Sequence, residues 1–174
     1  MPGFGDGQKS VIAATILGVR LVNVYVVNGQ AVGSEKYAYK LRWLAALHDY
    51  LREINMHFPK LAVMGDFNVA PTPADTHDPE LWEGNILCSE PERAGLKALF
   101  DVGLRDAYET AAQREGHFTW WDYRQAAFQR DLGLRIDHIL LSPSLTAAAW
   151  RVDTAPRKLA RPAAHAPVTT EISS

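Results

Sequence analysis

Between residues 34 and 57 the sequence places apolar side chains at intervals of three and four: Tyr37, Leu41, Leu44, Leu47, Leu51 and Ile54. One stripe at that period predicts a helix with a single buried face. Ser34 is positioned as its N-cap, and Pro59 stops it. Short β-favourable runs flank the helix. Val11 to Ile16 and Val19 to Val27, separated by Gly18, predict a hairpin whose second strand is buried on both faces near its end. Asn28-Gly29-Gln30 is a turn, and Leu61 to Met64 predicts a short buried strand. A Pro/Asp-rich loop follows, from Gly65 to about Asp78. Ser89-Glu90-Pro91-Glu92 is a capping box, so a second helix runs to about Val102 and ends at Gly103. Thr119 to Tyr123, Arg135 to Leu141 and Pro167 to Ile172 read as strands, and residues 1–9 are expected to fray. Strands and helices interleave, which sets the class as α/β or α+β.

Composition narrows what such a chain can be. At 174 residues it has the length of one domain, taken as 1–174, with no repeat or linker. With 47% hydrophobic and 22% charged residues it is neither disordered, collagenous nor coiled coil. A formal net charge of -2 excludes a uniformly basic nucleic-acid glove, so any such contact must be a local patch. A single cysteine, Cys88, rules out an internal disulfide framework and suits a reducing compartment. No apolar run reaches the ~20 residues that span a bilayer, and the first residues lack a charged-then-apolar signal. These features lead us to expect a cytoplasmic domain with no membrane partner.

Five segments carry chemistry-bearing residues. Gly65-Asp66-Phe67-Asn68 follows a buried strand, where open α/β sheets bind ligands. Asp66 there can hold a dication or take a proton, and Asn68 can donate to a phosphate. Both types also serve ordinary turns. Asp137 is a lone acid in the apolar run Leu134-Arg135-Ile136-Asp137-His138-Ile139-Leu140, and a buried carboxylate needs a partner. Arg135 is one partner available to it. His138 points to the opposite strand face and cannot share its role. His165, in His165-Ala166-Pro167-Val168, can act as general acid or base if a carboxylate orients it, and Asp137 is the natural supplier. Phe118-Thr119-Trp120-Trp121-Asp122-Tyr123-Arg124 combines four aromatics with an arginine, a pattern that stacks on bases and sugars or fills a core. Arg124, Arg130 and Arg135 supply local positive charge. Tyr25, before Asn28-Gly29, sits at a strand end from which its hydroxyl can reach a phosphate.

The order of these motifs resembles the exonuclease III branch of the endonuclease/exonuclease/phosphatase superfamily, from about Val11 to Ile172. Gly-Asp-Phe-Asn and His-Ala-Pro-Val are also similar to phosphoinositide phosphatases and sphingomyelinases, whereas Trp-Trp-Asp-Tyr-Arg and Leu-Arg-Ile-Asp are specific to the DNA-repair branch. The resemblance implies a four-layer sandwich, two facing mixed β-sheets flanked by helices. It implies a Mg²⁺- or Mn²⁺-dependent phosphodiesterase acting on duplex DNA with abasic or 3′-blocked sites. By that resemblance Asp66 activates water, Asn68 positions it, and Tyr25 contacts the scissile phosphate. His165, oriented by Asp137, stabilises the pentacoordinate phosphate, and Trp120 and Trp121 flank the abasic sugar and minor groove. Asn28, Arg124 and Arg135 complete the expected DNA contacts, and Asp66 and Asn68 the expected metal ligands.

The departures from that pattern are specific. Val27 stands where the family has proline, and Ala163-Ala164-His165 where it has Ser-Asp-His, so Ala164 replaces a metal-proximal carboxylate. The family begins with about one third more chain, including a metal-binding glutamate, and Met1 to Asp6 resembles its middle. The expectation is therefore an incomplete domain that binds its metal weakly and is inactive or severely impaired as a monomer. Exposed strand edges are expected to self-associate or to take a complementing N-terminal fragment. A non-catalytic DNA-binding remnant and a lipid or phosphoinositide phosphodiesterase are the alternatives.

Overall fold

The computed structural model describes residues 4–5 and 10–173. Apart from Phe4 and Gly5, the segment expected to fray lies outside them. Strands β1 (Val11–Ile16) and β2 (Val19–Tyr25) form the expected hairpin. Helix α1 (Glu35–His57) follows, with Ser34 Oγ accepting the Tyr37 amide at 3.1 Å. It returns the chain to β3 (Leu61–Asp66), parallel to β2. A short helix α2 (Pro79–Trp82) precedes α3 (Glu90–Asp101), capped by the Ser89–Glu92 box. Then come β4 (Arg105–Asp106), α4 (Ala107–Thr110), β5 (Gln113–Glu115), β6 (Trp120–Trp121), β7 (Gly133–Leu134), β8 (Asp137–Leu141), β9 (Thr146–Val152) and β10 (Val168–Ser173).

Two mixed sheets result. The larger has the order β1-β2-β3-β8-β4, and the smaller β10-β9-β5. One face of the larger sheet, through Val22, Val24, Leu61, Val63 and Leu140, packs on α1 and α3. The other face meets the smaller sheet through Ala62, Ile139, Leu141, Ala147, Trp150 and Val152. Helices, sheet and sheet are three of the four expected layers; on the far side of β9, Thr146, Ala148 and Arg151 are exposed. No described helix is long and apolar enough to cross a membrane.

Several expectations change. β2 is not buried on both faces: Val22 and Val24 are buried, but Asn23 and Tyr25 are exposed, because only the helical side is covered there. The stripe of α1 is rotated slightly. Leu41 is half-buried, while Trp43 and the fully buried Lys40 lie inside. The aromatic segment forms only a two-residue strand, since β7 offers it only two partners. β9 escaped the sequence reading because Ala147-Ala148-Ala149 has weak β-propensity.

Candidate active site

Strand register builds the site. β3 and β8 pair antiparallel with Asp66 opposite Asp137, so the two carboxylates share one end of the sheet. β2 pairs parallel with β3 and brings Tyr25 beside Asp66. This close approach requires Gly65, whose φ is +138°. A Cβ at that position would lie 2.0 Å from the Val24 carbonyl oxygen.

Asp66 is held by the residue two positions on. The Asn68 amide donates to Asp66 Oδ1 at 2.8 Å and its Nδ2 to Oδ2 at 2.9 Å. Asn68 adopts φ +51°, a left-handed turn that asparagine tolerates. The same Nδ2 donates to the Val26 carbonyl at 2.8 Å, while Asn68 Oδ1 accepts from Asn28 Nδ2 at 3.3 Å. Every polar atom of the Asn68 side chain is thus engaged.

Asp137 orients His165. The imidazole Nδ1 lies 2.9 Å from Asp137 Oδ2 and 3.2 Å from Oδ1, which leaves Nε2 facing Asp66 Oδ2 at 3.8 Å. The backbone carrying His165 hangs from the aromatic segment. The Trp121 amide donates to Ala164 O (3.1 Å), the Ala166 amide to Thr119 O (2.8 Å), and the Tyr123 hydroxyl to Pro162 O (2.9 Å). Arg157 donates to Ala163 O, and its guanidinium lies over Phe128 at 5.0 Å and Tyr123 at 5.6 Å. Thr119 Oγ1 in turn accepts the Ile136 and Asp137 amides, joining this loop to β8.

The electrostatics follow from this crowding. Burial, with the nearby Asp137 charge, pushes the Asp66 carboxyl up to about 6. Burial disfavours a charged His165, but the Asp137 hydrogen bond and charge outweigh it, so the imidazole titrates above its ordinary value. One ligand atom each of Asp66, Asp137 and His165 falls within 4.8 Å of the others. Two carboxylates and an imidazole, with one carboxyl raised by burial and then by its neighbour's charge, suit a hard dication such as Mg²⁺ or Mn²⁺. Asp66 and Asp137 are the groups that would hold it. Asn68 lies beside them, its Oδ1 accepting one hydrogen bond from Asn28 at 3.3 Å and keeping a second lone pair. Ala164 offers only a methyl group and a carbonyl already bonded to Trp121. A cavity of about 480 Å³, lined by Asp137, His165, Asn23, Met64 and Val168, opens beside the cluster.

The expected DNA contacts separate into two groups. Tyr25, Asn28 and Arg124 are exposed, and Trp120 is half-buried with its backbone bridged to His165. Arg135 is corrected: it is 1% exposed, with Nε 2.7 Å from Asp75 and NH1 2.6 Å from Asp106, so it cannot meet a phosphate. Nor does it pair with Asp137. Trp121 is corrected too: it is buried against Phe128, its indole N–H bonded to Asp131. His138 is buried on the opposite face, as expected, bonded to Val69 O. Sequence reasoning missed Arg157, which carries no spacing signal, and Lys40, whose signal was a lysine lying three residues from Tyr37 and four from Leu44.

A two-sheet α/β sandwich with an Asp–His dyad and a second carboxylate at one sheet end defines a hydrolase-type site. The model of the endonuclease/exonuclease/phosphatase family matches residues 2–161, and the chain belongs to that family. Within it the chain is of the exonuclease III type. It is 32% identical over 180 residues to exodeoxyribonuclease III of Haemophilus influenzae, covering 95% of this chain and 67% of that protein. It superimposes on the 3′-5′ exonuclease NExo from Neisseria meningitidis with a TM-score of 0.93 at 47% identity, covering 100% of this chain and 69% of the other. A structure of a single-residue variant of the 3′ phosphatase NExo from Neisseria, bound to product DNA hairpin, gives 0.92 at 47% identity, over 98% and 67%. The chain spans between 52% and 67% of the length of three curated relatives that it matches.

Proposed function

We propose that this site hydrolyses phosphate esters of DNA, in the manner of 5′ incision at abasic sites and removal of 3′ nucleotides or 3′ blocking groups. The observation that carries this reading is the convergence of Asp66, Asp137 and His165, with Asn68 locking Asp66. DNA as the substrate class is supported by the relative bound to a DNA hairpin and by exposed Arg124, Lys158 and Arg161 around the His165 loop.

Asp66 takes the proton of the attacking water as the water oxygen bonds to phosphorus, through a carboxylate oxygen that a bound dication would leave free. The Asn68 amide and side chain keep both Asp66 oxygens fixed, so the base does not rotate. His165, its Nδ1 proton held by Asp137, presents Nε2 to the developing charge and protonates the leaving oxygen. The Tyr25 hydroxyl, at the end of β2, donates to the phosphate. A dication at Asp66 and Asp137 supplies Lewis-acid stabilisation when bound. Because Ala164 contributes no carboxylate, the metal is held weakly and turnover is severely impaired.

The test is Mg²⁺-dependent nicking of a duplex with one abasic site, alongside release of phosphate from a 3′-phosphorylated end. The expected result is slow product formation that is lost in D66N and H165A and rises in A164D, together with tighter Mg²⁺ binding. A folded protein that forms no product at any Mg²⁺ concentration overturns the hydrolase reading. Salt-sensitive, metal-independent duplex binding would then point to a non-catalytic DNA-binding role.

A further inference from the structure

Lys40 is a lysine on the buried face of α1, with no exposed surface, and its ammonium makes three contacts. It donates to the Asn68 carbonyl at 2.7 Å, to the Asn28 carbonyl at 3.1 Å, and to Glu92 of α3. Its donor capacity is thereby used up. Glu92 is as deeply buried and closes the other side: Oε1 also accepts the Leu87 amide, and Oε2 accepts the Ser89 amide (3.1 Å) and hydroxyl (2.6 Å). Two loops that bear on the site, at Asn28 and Asn68, are tied through one ammonium to the start of α3.

A stabilising role alone accounts poorly for this arrangement. Taking a lysine and a glutamate fully out of water is costly, and well-packed apolar residues often serve the fold as well or better. What apolar residues cannot do is donate to two carbonyls at once. Those carbonyls belong to the two asparagines whose side chains bond to each other, one of which fixes Asp66.

We infer that Lys40 is a positioning residue for the reaction. Braced by Glu92, it fixes the Asn28 and Asn68 backbones so that the asparagine pair and Asp66 keep their hydrolytic geometry. It touches no substrate and acts only through those carbonyls. The inference rests on the hydrolytic reading proposed above for its kinetic consequence, but not for its geometric one.

The experiment separates stability from positioning. K40M leaves Glu92 buried and unpaired, and its melting temperature should fall by about 10 °C. K40M/E92Q removes both charges and keeps one carbonyl oxygen, enough for either the Leu87 amide or the Ser89 amide and hydroxyl, and should regain part of that loss. Its kcat should nevertheless stay about 10²-fold below wild type with KM little changed. The Asn68 side-chain amide signals in a ¹⁵N-labelled sample should shift or broaden. K40R/E92D, which keeps both charges but redirects the donors, should behave likewise and carries the comparison if K40M/E92Q does not fold. A kcat within about threefold of wild type in the folded charge-balanced variants, or unmoved Asn68 signals, overturns the inference. If wild type shows no turnover, the hydrolytic reading fails separately, and the Asn68 signals alone decide the geometric role.

Discussion

The two walls of the cleft are built on opposite plans. On one, Asp66 is fixed by a residue two positions away and backed by the buried Lys40–Glu92 pair. On the other, His165 is fixed by Asp137, 28 residues earlier, and its loop is suspended from main-chain atoms of Thr119 and Trp121. The first wall is short-range and ionic behind; the second is long-range and held by hydrogen bonds at its back. Precision at Asp66 is thus set by a turn, whereas precision at the imidazole depends on docking between distant segments.

The largest effect is expected where the second wall is cut at its tip. H165A should lower the hydrolytic rate by about 10²–10⁴-fold while the fold persists, read by single-turnover kinetics and circular dichroism. Retained turnover would mean that the first wall suffices. Cutting the suspension itself comes next. R157M removes the donor to Ala163 and the ring contacts, and should lower kcat by up to about 10²-fold with faster amide exchange at Trp121 and Ala166. Unchanged exchange there would show that the loop holds without Arg157.

The first wall is probed through its charge. Asp66 binds its proton more tightly in the folded chain, at about 6, than in an unfolded chain, at about 3.9. Protonation therefore favours the fold as pH falls from about 6 to about 4, and ionised Asp66 weighs against it above about 6. Mg²⁺ at about pH 7.5 should relieve that burden and raise the melting temperature by a few degrees, a gain that disappears at about pH 5 where the proton occupies the carboxyl. An equal Mg²⁺ gain at both pH values would place the ion elsewhere. The smallest effect belongs to Y123F, which removes one exposed hydrogen bond to Pro162 and should change the rate by no more than about tenfold.

These contrasts also explain what could be read in advance. The stripe of α1, the capping box of α3 and the turn at Asn68 are local patterns, and each is visible within a few residues. The Asp137–His165 pairing was legible because a lone acid in an apolar strand must find a partner. Arg124 and Arg135 both read as local positive charge in the sequence, Arg135 also as a partner open to Asp137. What separates them is Asp75 and Asp106, carboxylates brought to Arg135 from the segment after β3 and from β4, and no periodicity encodes that meeting. Trp120 and Trp121 likewise differ only by the face each presents, which a strand of two residues leaves undecided.

The pairing of Asp66 across the ladder from Asp137 has a consequence for how such a site tolerates change. The long excursion between the two strands can gain or lose residues while this rung of the ladder is kept. A single insertion inside either strand slips the count, turns its side chains over and separates the carboxylates. Length variation should therefore be permitted in the loops and penalised within β3 and β8, a pattern that a systematic insertion scan would reveal as two narrow intolerant windows.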